Sequence, residues 1–207
     1  MKPPSEAALD AFLSLVADKG FAAVTLRDVA SAAGLGLADL YRLYPDKVAL
    51  VGGFLARIDG EVLGRVPAET DPEETARDRL FDILMQRYDA LRPHRPALGA
   101  IRRAATSDPL LALALGPALR RSMAAMLEAS GLPSEGLPGA LRQNGLLAID
   151  YTVSRVFDRD ETVDLSKTMA ALDGRLKSAE KWSQIVDKYI KVAEPGTRAG
   201  GPVSPAA

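Results

Sequence analysis

At 207 residues, 47% hydrophobic and 26% charged with a formal net charge of −1, the chain has the make-up of an ordinary globular protein. It is long enough to bury one good core, or a small domain plus a medium one. The absence of cysteine and the single histidine exclude disulfide frameworks, thiolate chemistry and the commoner zinc and iron–sulfur sites. Met1-Lys2-Pro3-Pro4 lacks an apolar signal core and no apolar run reaches bilayer length, so the expected location is cytoplasmic.

Strand signals are nearly absent, whereas stripes with the helical period of 3.6 run throughout, so an all-α fold is expected. A first helix is predicted over about Ser5 to Asp18, with Leu9, Phe12, Leu13 and Val16 inward. The stretch from Thr25 to Lys47 then reads as two short helices joined by a glycine turn. Thr25 is placed to N-cap the first, and Asp28, three residues on, to return the bond. Leu26, Val29, Ala30 and Ala33 form its apolar stripe, and Gly34 suits the left-handed residue that ends it. After Gly36 a second helix carries Leu37, Leu40, Tyr41 and Tyr44 at helical spacing; Pro45 stops it and Asp46 can cap the next. The pattern is a helix-turn-helix.

The run Thr25-x-Arg27-Asp28-x-Ala30-x-x-Ala33-Gly34, followed by Leu40-Tyr41-Arg42-x-Tyr44-Pro45-x-Lys47-x-x-Leu50, resembles the TetR family of bacterial transcriptional repressors. Ala11-Phe12 through Lys19-Gly20-Phe21 matches that family's first helix and its exit. The resemblance covers the first quarter of the chain. It implies DNA contacts at Thr25, Arg27, Gly36, Leu37, Ala38, Asp39, Tyr41, Arg42, Leu43 and Lys47, with a double-stranded operator as partner. Several of these depart from the family pattern: its serine is Gly36, its Lys-Gly-Thr is Leu37-Ala38-Asp39, and its histidine is Leu43. Over residues 1–50, five basic side chains face six acidic ones, a poor balance for binding phosphates.

Further along, a fourth helix from Asp46 to about Arg65 carries Val51, Phe54, Leu55, Ile58 and Val62 on one stripe, with Gly52-Gly53 suggesting a close helix contact. Pro67 to Pro72 reads as a linker. The expected organisation is a helix-turn-helix domain over 1–50, a connecting helix over 46–66, a ligand-binding and dimerisation domain over 67–193, and a disordered Pro/Gly/Ala-rich tail over 194–207. Within the second part, helices are expected over Glu73 to Leu91, through Ile101 and Arg102, and from Asp108-Pro109 to about Ala129 with an interruption at Gly116-Pro117. Two more follow, Gly139 to Phe157 and Glu161 to Ser178, after a Leu132 to Pro138 loop. Asp158-Arg159-Asp160-Glu161 reads as the acidic start of the last of these.

The resemblance also implies a homodimer and a small hydrophobic ligand. Candidate pocket residues are Leu84, Tyr88, Ile101, Leu111, Leu115 and Leu119; candidate dimer residues are Ile149, Val153, Val156, Leu165, Met169, Leu172 and Leu176. No catalytic residue, metal or cofactor is expected, and His94 reads as a solvated loop residue. The layout is also similar to a TetR-fold branch that binds lipid in ubiquinone biosynthesis, in which Leu110, Leu111, Leu113, Leu115 and Leu119 would line a tunnel. In segment 180–192, Trp182, Ile185, Val186, Tyr189 and Ile190 form a stripe that suits either the protein's own body or peripheral contact with a membrane.

Overall fold

The computed structural model describes residues 2–67, 71 and 73–193, with side chains described through 179. Among these residues the regular structure is all helical: α1 (Pro4–Lys19), α2 (Leu26–Ala33), α3 (Leu37–Leu43), α4 (Lys47–Leu63), α5 (Ala76–Leu91), a 3₁₀ turn (Arg92–His94), α6 (Arg95–Ser107), α7 (Pro109–Ala129), α8 (Gly136–Phe157) and α9 (Ser166–Ala193). The expected tail lies outside the described residues, as do the side chains of the 180–192 stripe, whose backbone continues α9.

Local chemistry sets the first boundaries. Thr25 Oγ1 accepts the Asp28 amide at 3.2 Å, and Asp28 Oδ2 accepts the Thr25 amide at 2.9 Å, a complete capping box at the start of α2. Gly34 takes the left-handed conformation (φ 68°), and the Leu35 amide reaches back to the Ala30 carbonyl at 2.9 Å, closing the turn into α3. Asp46 caps α4 by accepting the Ala49 amide at 2.7 Å.

From there α4 becomes the axis of the molecule. Its inward stripe is buried as expected, and it packs on α1, α5 and α7. Gly52 brings α4 close to Ala118 of α7, and Gly53 leaves the space in which the Tyr44 ring sits: a Cβ there would stand 2.5 Å from a ring carbon. The chain just past α3 is thereby seated on α4. One buried cluster runs from Ala8 of α1 to Leu176 of α9, so the helix-turn-helix and the remaining helices share a core.

Several boundaries differ from the sequence expectation. Thr75 caps α5, which starts three residues later than the apolar pattern suggested. α7 runs unbroken through Pro117. Proline has no amide to offer the Leu113 carbonyl, and Leu113 is exposed, where water can serve instead. α7 is also long and apolar enough, by length and composition alone, to cross a membrane, contrary to the expectation that no such run exists. In the fold it packs against α4, α5, α6 and α8. α8 starts at Gly136, inside the expected loop.

The acidic 158–161 run is not the start of α9, which begins at Ser166. Instead Asp160 is buried and accepts four hydrogen bonds, from the amides and hydroxyls of Thr162 and Thr168, tying the loop to the first turn of α9. Burial alone would raise its carboxyl pKa, but these bonds outweigh it and hold the group far below the usual carboxylate range.

Filling the Gly53 notch with Gly53→Ala should displace Tyr44 and cost about 1–3 kcal/mol, the usual cost of overpacking. Urea unfolding of the two proteins measures it; an unchanged midpoint would mean the ring yields freely.

Candidate nucleic-acid interface and ligand cavity

α3 is held by one residue. Leu40 is fully buried, while Leu37, Ala38, Asp39, Tyr41, Arg42 and Leu43 are exposed, Tyr41 at 60%. Such a helix presents nearly its whole surface to a partner. Thr25, Arg27 and Gly36 are exposed as well. Asp39 and Arg42 pair with each other at 3.0 Å across one turn. Both are well exposed, so the pair contributes little to stability and leaves Arg42 able to swing to another anion.

Lys47 stands apart from the other nine. Its Nζ donates to the Phe21 carbonyl at 2.8 Å and lies 4.5 Å from the centre of the Phe21 ring. Burial lowers its pKa. This lysine therefore clasps the α1–α2 connection to the start of α4 and is committed within the chain.

His94 corrects the solvated reading. It is half-buried, its ring meeting Phe54 edge-on at a centroid distance of 5.0 Å, beside a shallow recess formed by α1 and the start of α6. Burial is the larger cause of a lowered pKa, and the Arg57 charge adds to it, against weaker opposing effects of Asp10 and Glu61. Arg57 in turn pairs with Asp10 at 2.7 Å, joining α4 to α1.

A cavity of about 430 Å³ lies among α4 to α8. Tyr88, Ile101, Leu115 and Leu119 line it as expected; Leu84 is buried elsewhere in the core and Leu111 is half-buried off the wall. Of the α7 leucines expected to line a tunnel, Leu110 and Leu113 are exposed. Val51 and Leu55 of α4 form part of the wall, so the helix that follows α3 also faces the cavity.

The polar side of the wall was not read from the sequence. Arg87, only 2% exposed, sits between two carboxylates: its Nε donates to Asp59 of α4 at 3.2 Å and its Nη1 to Asp150 of α8 at 3.4 Å. Ser122 of α7 donates to the same Asp59 oxygen at 2.8 Å, and the Tyr88 hydroxyl donates to Asp150 at 2.9 Å. Burial and the neighbouring Asp150 push the Tyr88 phenol well above its ordinary pKa, which keeps it a donor. A signal did exist. Arg87 occupies an inward position of the Leu80, Leu84, Tyr88, Leu91 stripe, where a charge must find a buried partner.

The seven candidate dimer residues do not share one exposed face. Val153, Leu165, Leu172 and Leu176 are buried in the chain's own core, Ile149 and Val156 are half-buried, and Met169 is exposed. Leu165 takes a left-handed backbone (φ 55°) at the entry to α9 with its side chain buried. On α8, Leu137, Leu141, Gly145 and Ala148 form an exposed stripe.

Residues 8–53 match the family model described as bacterial regulatory proteins, tetR family. Over that stretch the chain is similar to the TetR-family helix-turn-helix domain. Solved structures extend the likeness to the rest. A TetR transcriptional regulator from Nitrosomonas europaea superposes with a TM-score of 0.68 at 20% identity, over 86% of this chain and 99% of that one. A TetR transcriptional regulator from Rhodococcus sp. RHA1 gives 0.58 at 21%, over 84% and 95%. The transcriptional regulator FadR from Bacillus subtilis, in complex with stearoyl-CoA, gives 0.53 at 15%, over 83% and 97%. No curated protein sequence matches the chain significantly. At these identities the likeness establishes the TetR-regulator fold.

Two measurements test the buried groups. Asp59→Ala should destabilise the protein by about 3–5 kcal/mol, since it leaves the Arg87 guanidinium without its nearest anion; chemical denaturation reads the loss. His94, with a folded pKa below its unfolded 6.5, keeps the imidazole neutral in the fold. Its stabilising effect is therefore full above pH 6.5 and declines as pH falls toward the folded pKa. Melting temperatures between neutral pH and about pH 5 should fall more steeply for the native chain than for His94→Gln.

Proposed function

We propose that this chain is a cytoplasmic, homodimeric DNA-binding transcriptional regulator of the TetR type, a repressor whose operator affinity is set by a small hydrophobic ligand. One observation carries the reading: α4 follows α3 after a three-residue connection and also supplies Val51 and Leu55 to the cavity wall. A ligand that favours one position of α4 would thus favour one position of the recognition helix. The size of the effect is limited by the ligand's differential affinity for the two states. The helix-turn-helix would form the DNA-binding part, α4 the connection, and the remaining helices the ligand-binding and dimerisation part.

In a dimer the two recognition helices must meet half-sites about 34 Å apart, so a small rotation of α4 is enough to lose one of them. The exposed α8 stripe of Leu137, Leu141, Gly145 and Ala148 is the surface we assign to the partner subunit. On DNA, Arg42 would leave Asp39 for a phosphate, Leu37 and Leu43 offer apolar contact to thymine methyls, and Asp39 is an acceptor for cytosine N4. Lys47 would hold the domain together from behind. The FadR of Bacillus subtilis, similar in fold, is known in complex with stearoyl-CoA, which supports a ligand role for the cavity.

The test is a fluorescence titration against the chain's own upstream DNA at two salt concentrations, with sedimentation alongside. Arg42→Ala should weaken binding to every sequence and lower the salt slope by about one, as loss of a phosphate contact does. Asp39→Thr should strengthen non-specific binding by on the order of 1 kcal/mol, by removing a repulsive charge and freeing Arg42. An affinity unaltered by Asp39→Thr would place residue 39 away from DNA. A chain that is monomeric at micromolar concentration, or binds no DNA at low salt, would refute the reading.

A further inference from the structure

The cavity proposed above as the ligand site is balanced in charge. Two arginines and one aspartate reach its wall: Arg87, Arg102 and Asp150. Behind them, Arg87 Nε donates to Asp59 at 3.2 Å, and Arg102 engages Asp158 with two bonds, Nε to Oδ2 at 3.0 Å and Nη2 to Oδ1. A third guanidinium, that of Arg95, stacks on Phe157 with its carbon 4.4 Å from the ring centre, and Phe157 lines the cavity. Three arginines thus stand against three aspartates. A ligand with a charge of either sign would shed its water and find no counter-charge left over. The Phe157 ring, which could have attracted a cation, already carries Arg95.

Hydrogen bonding is not balanced in the same way. Arg87 is almost sealed from water, yet only two of its three nitrogens are engaged: Nε by Asp59 and Nη1, at a long 3.4 Å, by Asp150. Among the described residues Nη2 donates to none. Nor does it belong with the unpartnered nitrogens that are closed off from water, which include Nε and Nη2 of Arg95. Its two N–H groups therefore border open space, and the open space beside Arg87 is the cavity. Arg102 Nη1 likewise meets no acceptor among the described residues. On the other side of the account, Asp150 Oδ2 is the one carboxylate oxygen of the wall that accepts nothing there. The charged groups of the wall thus hold more idle donors than idle acceptors, while Val51, Leu98 and Leu115 continue it with hydrocarbon alone.

Resting on the reading of this cavity as the ligand site, we propose that it selects an uncharged apolar molecule with a carbonyl head, a ketone, ester or amide, whose oxygen accepts from Nη2 of Arg87. The oxygen fills the idle donor without disturbing the charge balance. A hydrogen bond from a charged donor in a nearly dry site is stronger than its counterpart in water, so the head sets orientation as well as affinity. The same guanidinium holds Asp59 of α4, so the head group acts on the network that locates that helix.

The experiment is calorimetric titration of the full chain, without DNA, into four probes that share a framework: phenylbutane, phenylbutanone, phenylbutyrate and phenylbutylamine. The ketone should bind about tenfold tighter than the hydrocarbon, and both ions more weakly than the ketone. In Arg87→Lys, whose single nitrogen is taken by the two carboxylates, the ketone should lose its advantage over the hydrocarbon. If that variant does not fold, the infrared carbonyl band of the ketone bound to the native chain decides: it should lie below its position in alkane solvent. An alkane-like band overturns the proposal, as does a ketone advantage that survives in folded Arg87→Lys. Equal or tighter binding of the carboxylate or the amine overturns the preference for a neutral head. Saturable binding of none of the four overturns the ligand role of the cavity itself. Because no DNA is present, failure of operator binding is a separate result.

Discussion

A buried guanidinium at the centre of the molecule constrains everything around it. Arg87 is almost wholly removed from water, and an unpaired charge there would cost more than the fold can spare. Its two carboxylates come from different helices, Asp59 on α4 and Asp150 on α8, while Ser122 of α7 fixes the first of them. Four helices must therefore keep their relative positions for this one charge to stay matched. Leucine contacts tolerate sliding, but a charged network of this kind has few acceptable geometries. α4 is thus located at its far end by electrostatics and at its near end by the capped, glycine-ended turn of the helix-turn-helix.

The N-terminal part solves a different problem. With five basic against six acidic side chains over residues 1–50, it has little general attraction for a polyanion. Lys47 is moreover used as an internal clasp on the Phe21 carbonyl. What the surface of α3 does offer is contact area: a tyrosine, two leucines and an exposed arginine on a helix whose one buried side chain is Leu40. In the DNA-binding role proposed above, such a surface would favour shape and methyl contacts over bulk charge, with selectivity at the expense of non-specific affinity.

Much of this was legible from residues whose role is local. Thr25, Asp28, Gly34 and Asp46 act within a few positions of themselves, and the structure places each where spacing put it. The apolar stripes of α1 and α4 followed for the same reason. What spacing could not resolve was which of several apolar neighbours faces the protein and which faces outward. On α8 and α9, Val153, Leu165, Leu172 and Leu176 satisfy a stripe equally well as core or as dimer surface, and the structure has them as core. The His94 environment depends on a partner on another element, Phe54 of α4, beyond the reach of any local pattern. Pro117 misled for a simpler reason: a helix breaker is tolerated where the orphaned carbonyl can reach water.

The seat of Tyr44 against Gly53 ties two positions together through a steric exclusion. Neither residue is individually special: a helix accepts a larger side chain than glycine, and the end of α3 needs no ring. Together they occupy one volume, so changes at the two sites are not independent. Among descendants of this chain, substitutions that enlarge residue 53 would survive chiefly in company with a smaller residue at 44. The pair should therefore be inherited as a unit, a correlation between sites nine residues apart that reports the angle between α3 and α4.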